Sequence, residues 1–278
     1  MSRRIWVNGR RADAVPASDR GLHYGDGVFT TALAAGGEIA YLDDHIERLQ
    51  RDAAALGFAA PSRWLLQSEF GQAAAGAGNA VVKYVLTRGT GERGYRAPVR
   101  PEVTRLVLAS EAPPHPRRHW RDGIRLHVCV QRLGLQPRLA GIKHLNRLEQ
   151  VLAQDEWQGE QAQEGLMLAT DGQVVSGSMS NLFFVRAGRL HTPLLDQAGV
   201  AGVMRARVLA LAAARAIPVQ IARYTLADVL AADEVFMTNA VIGLWPVAAC
   251  AARAWPRQGS VTEGLRRAIG HPYEGIAG

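Results

Sequence analysis

Lysine is almost missing from this chain. Of 32 basic residues in 278, only Lys83 and Lys143 are lysines, and the rest are arginine. Either residue serves as an exposed positive charge, so under so strong a bias each surviving lysine calls for a reason. Arginine stays protonated and is a poor amine nucleophile, whereas a lysine with a lowered pKa condenses with carbonyls, so a position that must form an imine cannot exchange one for the other. On the count alone the two lysines are equal candidates, and chance survival explains either as well. Cysteine is scarce too. Cys129 and Cys250 lie far apart, which excludes a disulfide framework and reads as two reduced, small hydrophobic side chains. Long apolar runs are absent: nowhere do about 20 apolar residues follow one another, and the N-terminal MSRRIWVNGRRADAVP has charges without an apolar leader core. A soluble, cytoplasmic protein is expected.

What is present is ordinary globular material. Apolar residues make up 48% and charged residues 21%, which excludes a disordered or collagen-like chain and leaves enough for one large domain or two compact ones. The net charge of +7 does not point to nucleic acid. The arginines are scattered, and basic stripes, stacked RNP-type aromatics, zinc-ligand spacing and a basic region leading into heptads are all missing. A positive field of this kind suits a small polyanionic substrate.

Along the chain, RRIWVNG and VFTTALAAGGEIAYL read as strands, with Gly36 and Gly37 as a hairpin turn. A helix follows over DDHIERLQRDAAALG, with Asp43 or Asp44 as its cap, Ile46, Leu49, Ala53 and Leu56 at helical spacing, and Gly57 as its stop. A second helix is expected over 62–76, then strands in NAVVKYVLTRG and TRLVLAS. The three prolines of EAPPHPRRHW, 111–120, mark the domain boundary. Beyond it GIRLHVCVQ reads as a strand and KHLNRLEQVLAQDEW as a helix with Leu145, Leu148, Val151 and Leu152 on one face. Strands run to about 193, followed by helices over 201–216 and 225–231 and strands in PVQIARY and DEVFMTNA. The irregular alternation predicts two α+β domains, residues 1–113 and 114–278, rather than a doubly wound sheet or a barrel.

Three motifs invite a functional reading. GTGERG at 89–94 has the dinucleotide-loop spacing, yet YRAPVRPEV follows where a helix would have to begin, so it reads as a site loop carrying Arg93 and Tyr95. His115 and His119 have i, i+4 spacing, but in a proline-rich segment that denies them helical metal-ligand geometry. Lys143, in LAGIKHLNRLEQ, is placed after a strand and at the start of a helix, where partial burial and the positive helix end would lower its pKa; the alternative is a surface lysine.

Taken together, RGLHYGDGVFTT at 20–31, HIERL at 45–49, TRGTGERGY at 87–95, LAGIKHLNRLEQV at 139–151, SNLFF at 180–184, DQAGVAGVMR at 196–205 and TNA at 238–240 resemble the fold-type IV pyridoxal-phosphate enzymes over nearly the whole chain. The resemblance implies a smaller N-terminal domain, a larger β-rich C-terminal cofactor-binding domain, and a homodimer with its active site between the domains and near the subunit interface. AGIKHLNRLEQ with TRGTGERGY is most similar to the lyase branch, which implies conversion of 4-amino-4-deoxychorismate, a dicarboxylate, into 4-aminobenzoate and pyruvate for folate. A D-amino acid or branched-chain aminotransferase, and a cofactor-free relative acting as a binding protein, stay open as alternatives.

Carried over by position, the resemblance makes Lys143 the Schiff-base lysine of pyridoxal 5′-phosphate and Arg48 a phosphate ligand. The backbone N–H groups of Val203 and Met204, with Thr238 and Asn239, would complete an anion cup. Arg93 and Tyr95 would hold a substrate carboxylate, and Thr30 or Thr31 would offer a hydroxyl relay. Lys83 reads as structural. One position departs from the pattern: relatives carry a glutamate five residues before the Asn of NLF, against the cofactor's pyridine nitrogen, and this chain has Ser176. A neutral hydroxyl cannot hold that nitrogen protonated as a carboxylate does, which weakens the electron sink.

Overall fold

Branched and aromatic runs at the N-terminal end of the chain assemble an antiparallel sheet that two helices cover on one face. The computed structural model describes residues 4–158, 161–255 and 259–276; the first three and last two residues of the domain spans expected from the sequence lie outside them. The chain forms two compact units, Met1–Pro113 with Ile142–Asn146, and Pro114–Gly141 with Arg147–Gly278.

The first unit contains β1 (Arg4–Val7), β2 (Arg10–Arg11), α1 (Arg20–Tyr24), β3 (Gly27–Ala35), β4 (Glu38–Ile39), α2 (Leu42–Ala55), α3 (Arg63–Ala74), β5 (Ala80–Thr87) and β6 (Thr104–Glu111). Its sheet runs β2-β1-β6-β5-β3-β4. Gly36 and Gly37, both at positive φ, make the two-residue hairpin between β3 and β4. Val28, Ala32 and Ala34 of β3, with Val82, Tyr84 and Leu86 of β5, face Ile46, Leu49 and Ala53 of α2 and Leu66 and Phe70 of α3 in one buried cluster. Each fully buried side chain of the size of Ile46 or Leu66 contributes about 2 kcal/mol. The expected aspartate cap of α2 is corrected: Tyr41 is the cap residue, in a left-handed conformation without a side-chain cap, and Asp43 and Asp44 fall in the first turn, where they favour the helix dipole instead.

The second unit contains α4 (Arg118–Arg121), β7 (Ile124–Leu133), α5 (Leu148–Gln154), β8 (Glu164–Ala169), β9 (Val174–Gly177), β10 (Asn181–Arg186), β11 (Arg189–Pro193), α6 (Val203–Ala214), β12 (Val219–Ala222), α7 (Leu226–Leu230), β13 (Glu234–Asn239), β14 (Gly243–Cys250), β15 (Arg253–Ala254), α8 (Ser260–Ile269) and α9 (Pro272–Ile276). Its mixed sheet runs β12-β11-β10-β13-β14-β7-β8-β9, with β15 against β14. Phe183, Val185 and Phe236 of this sheet pack on Val208 and Ala212 of α6 and Leu265 of α8.

Two sequence expectations fail here for physical reasons. The helix expected from Lys143 begins only at Leu148, because His144 forms a bridge with Val28 of β3: Phe29 N–H donates to Lys143 O at 2.9 Å and Leu145 N–H to Gly27 O at 3.0 Å. That pairing draws the pentapeptide into the first unit, with Ile142 in its buried cluster, and so out of the span 114–278. The expected apolar face of α5 is not a core face: Leu148, Val151 and Leu152 are exposed. The proline-rich segment also carries a short helix, α4, after Pro116.

Candidate active site

Strand alternation separates the residues of GVFTT. Val28, Thr30 and Ala32 point into the core of the first unit, whereas Phe29 and Thr31 are half-buried on the other face. Lys83 of β5 stands directly across from Thr31, with its Nζ 4.7 Å from the centre of the Phe29 ring. The Lys143 Nζ lies 4.4 Å from the same centre. Both lysines of the chain therefore flank one aromatic side chain. The Lys143 backbone is fixed on two sides, since its C=O accepts from Phe29 and its N–H donates to Asp52 Oδ2 at 3.0 Å. Lys143 is not at the start of a helix, as the sequence suggested, because α5 starts five residues later.

Arg48 is on the buried face of α2. Burial pushes its guanidinium down to about 10, and Asp52, one turn on, opposes that shift. Arg48 Nη2 donates to the Thr30 hydroxyl. The same hydroxyl lies 2.6 Å from His45 Nδ1, so Arg48, Thr30 and His45 form one buried hydrogen-bonded chain. Arg48 Nε has no hydrogen-bond partner among the described residues. A buried, charged and incompletely bonded guanidinium calls for an anion.

The loop after β5 carries Arg93 and Tyr95, both exposed. Its backbone is held by buried Arg20, which donates to the carbonyls of Gly94 at 3.3 Å, Tyr95 at 2.9 Å and Arg96 at 3.2 Å, while its Nε pairs with Asp26 at 2.8 Å.

In the second unit, α6 opens with Val203 and Met204, both buried. No side chain caps this helix end among the described residues, so the first amides are left for a ligand. Asn181 shapes the approach: its Oδ1 accepts Gly202 N–H at 3.2 Å and its Nδ2 donates to Val200 O at 2.8 Å. A Cβ at Gly202 would lie 2.3 Å from that oxygen, so any larger residue would displace the Asn181 side chain and its two hydrogen bonds. Thr238 is buried and its hydroxyl donates to Gly243 O at 2.5 Å, which leaves it able only to accept. Asn239 organises its own turn, accepting from Val241 N–H at 2.8 Å and Ile242 N–H at 3.0 Å and donating to Met179 O at 3.3 Å. The Ser176 hydroxyl donates to Gly177 O at 2.8 Å. Glu164 receives the hydroxyls of Ser178 and Ser180 and the amides of Gly165, Ser178 and Met179. Burial raises its carboxyl above the usual range, and those donors oppose the shift.

The model of the family described as amino-transferase class IV matches residues 27–250. The chain belongs to the class IV aminotransferase family. An aminodeoxychorismate lyase of Vibrio harveyi is 37% identical over 254 residues, covering 89% of this chain and 92% of that protein. The crystal structure of 4-amino-4-deoxychorismate lyase from Pseudomonas aeruginosa is 41% identical with a TM-score of 0.92, covering 97% of this chain and 99% of that one. A branched-chain amino acid aminotransferase of T.th., solved with pyridoxamine 5′-phosphate, is 25% identical with a TM-score of 0.81, covering 98% and 94%. The two-domain α+β fold and the pyridoxal-phosphate chemistry that the sequence resemblance implied are those of the class IV family.

The residues present fit that cofactor. Within the first unit Lys143 supplies an amine and Arg48 a buried cation with an unbonded Nε; taken by itself, the second unit offers the uncapped amides of α6, a fit for a phosphate. Sequence reasoning missed Asp52, Arg20 and Asn181. Asp52 had a visible signal: in HIERLQRD it follows Arg48 by one turn, an acid on the apolar stripe of an amphipathic helix. Arg20 had none, since its loop partners are backbone carbonyls.

Proposed function

We propose that the chain acts as an aminodeoxychorismate lyase, converting 4-amino-4-deoxychorismate into 4-aminobenzoate and pyruvate for folate biosynthesis. The observation that carries this reading is the pentapeptide 142–146, folded against β3 so that one of only two lysines holds its amine over Phe29. The likeness to lyases in sequence and in structure supports the substrate.

Bound pyridoxal 5′-phosphate supplies a carbonyl that condenses with amines and a conjugated ring that draws electrons from the adjacent C–H bond. Arg48 and the amides of Val203 and Met204 hold its phosphate, with Thr238 lining the cup and Asn239 shaping it. Lys143 Nζ removes the proton from C4 of the substrate and returns a proton to the departing enolpyruvyl group. Of the two threonines, Thr30 keeps Arg48 in place, and Thr31, on the Phe29 face, is the hydroxyl that relays protons. Arg93 and Tyr95 take a substrate carboxylate, in keeping with a net positive chain and a dicarboxylate substrate.

Ser176 favours the lyase over the aminotransferase reading, because transamination needs a long-lived carbanion and hence a protonated ring nitrogen, whereas elimination is also driven by forming an aromatic ring. The chain works as a cytoplasmic homodimer. Exposed Leu148, Val151 and Leu152 on α5, with exposed Val130 on β7, support a second copy as the partner, and two buried free cysteines suit a reducing compartment. Among the described residues no helix is long and apolar enough to cross a membrane.

The test supplies 4-amino-4-deoxychorismate to the purified protein and follows 4-aminobenzoate fluorescence, with 2-oxoglutarate and amino acids in a parallel assay. Lyase turnover with little amino transfer is expected. A colourless protein that takes up no pyridoxal phosphate removes the enzyme reading, and dominant amino transfer replaces the lyase.

A further inference from the structure

Asp52 is a buried carboxylate on α2 for which the proposed chemistry has no use. Its two oxygens face different partners. Oδ1 accepts from Arg51 Nε at 3.0 Å and Nη2 at 2.8 Å, and Oδ2 accepts the backbone N–H of Lys143 at 3.0 Å. The Lys143 amide comes from 91 residues further along the chain, so this contact is a long-range closure of the fold rather than a local turn. One helical turn before Asp52 stands Arg48, whose charge Asp52 supports.

We infer that Asp52 is a positioning residue for Lys143, and that α2 acts as a ruler between the anchor for the cofactor phosphate and the amine that meets its carbonyl. The inference rests on the proposed roles of Lys143 and Arg48. Residues i and i+4 of a helix lie on one face about 6 Å apart along the axis, so Arg48 and Asp52 cannot drift independently. Asp52 grips the Lys143 N–H while Phe29 N–H grips its C=O, which fixes the backbone of this residue from helix and strand together. Only the side-chain torsions of Lys143 then remain to be set when its amine engages the cofactor. A neutral acceptor would satisfy the amide alone. The carboxylate also supports the charge of Arg48, and so serves both ends of the ruler.

Three variants separate this role from helix stability. Asp52→Ala removes acceptor and charge, Asp52→Asn keeps an acceptor and loses the charge, and Arg51→Gln removes the ion pair while leaving the contact to Lys143. Each is loaded with limiting pyridoxal phosphate, reduced with borohydride and digested, and the fraction of Lys143 carrying the pyridoxyl label is measured by mass spectrometry. Hydrogen exchange over 142–146 in the cofactor-free protein and kcat against KM complete the set. Loss of one hydrogen bond to a charged acceptor predicts about a ten-fold fall in labelling at limiting cofactor and in kcat for Asp52→Ala, with KM unchanged and faster exchange at Lys143. Asp52→Asn falls between this variant and the parent, and Arg51→Gln stays near the parent. Parent-like labelling, kcat and exchange in Asp52→Ala overturn the inference, as does an equal loss in Arg51→Gln. Should Asp52→Ala fail to fold, Asp52→Asn against Arg51→Gln decides alone. A parent protein labelled elsewhere than Lys143 instead refutes the reading of the site, and is told apart because it needs no variant.

Discussion

Arg20 Nη2 donates to the Tyr95 carbonyl at 2.9 Å, and through it a buried arginine on α1 sets the course of a loop whose own side chains are exposed. Two further carbonyls of the loop, Gly94 and Arg96, accept from the same guanidinium. Arg20→Met removes these donors while Asp26 keeps its other partner, Arg88, at 2.8 Å. Releasing the loop predicts a rise in KM for the dicarboxylate substrate of about five-fold or more, with kcat and the visible absorbance of the cofactor little changed. Steady-state kinetics beside an absorbance spectrum check it, and an unchanged KM removes the loop from substrate binding.

Lys143→Arg keeps the positive charge over Phe29 and takes away the amine. Turnover falls by at least about 10³-fold, and borohydride leaves no label on the protein, because a guanidinium does not condense with the cofactor carbonyl. Lys83→Arg, beside the same ring, retains turnover within a few-fold. Opposite outcomes for the two lysines are the point of the pair: similar losses in both would mean that charge at Phe29, not the amine of Lys143, is what the site requires.

Most of the first unit was legible because its elements obey local periodicity. Ile46, Leu49 and Ala53 recur at helical spacing and are buried on α2, and NAVVKYVLTRG is a central strand of branched residues. What stayed hidden was set by distant partners. KHLNRLEQ looks helical from its leucines, but the backbone of 142–146 is claimed by β3 and Asp52 before a helix can start. The leucines of α5 that remain are exposed, so their spacing reported a surface rather than a core. In the proposed site, Lys143 and Arg48 were singled out by the family resemblance, since lysine scarcity alone left Lys83 an equal candidate and Arg48 is one arginine among many. Which of Thr30 and Thr31 faces the core depends on strand register, and spacing alone left that open.

That register makes the two threonines separable. Thr30→Val strips the hydroxyl that receives Arg48 and faces His45, so it weakens pyridoxal-phosphate affinity by about ten-fold, read by titration of the cofactor-free protein. Thr31→Val leaves that affinity unchanged and lowers kcat by about 10²-fold through loss of a proton relay. If the effects exchange places, the assignment of Thr31 as the relay is wrong.

Acid sensitivity is expected from His271. Its Nε2 donates to Ala240 O at 3.2 Å and its Nδ1 accepts Tyr273 N–H at 3.3 Å, a neutral arrangement that burial protects by pushing the imidazole down to about 4. Between the ordinary value of 6.5 and about 4 the unfolded chain binds a proton that the folded one refuses, so stability is lost as pH falls through that window and levels off below it. At pH 5 the loss from this residue is about 2 kcal/mol. His115, also held down to about 4 by burial, acts in the same direction. Urea unfolding at pH 7.5 and pH 5 should show a smaller drop for His271→Gln than for the parent, even though the variant starts less stable.

In the proposed function, Ser176 sets how far the chemistry leans toward elimination. Its hydroxyl donates to Gly177 O and it carries no charge, so it lacks the carboxylate that would hold a ring nitrogen protonated. Ser176→Glu restores a carboxylate, which holds the nitrogen protonated and lengthens the life of the carbanion that amino transfer requires. The ratio of aminotransferase to lyase turnover should therefore rise by about ten-fold or more, measured with 2-oxoglutarate and amino acids against 4-aminobenzoate release. Ser176→Gln has the same length without the charge and should leave the ratio near that of the parent. If glutamine raises it as much as glutamate does, the gain comes from filling space beside β9 and the weakened electron sink is not what separates this chain from its aminotransferase relatives.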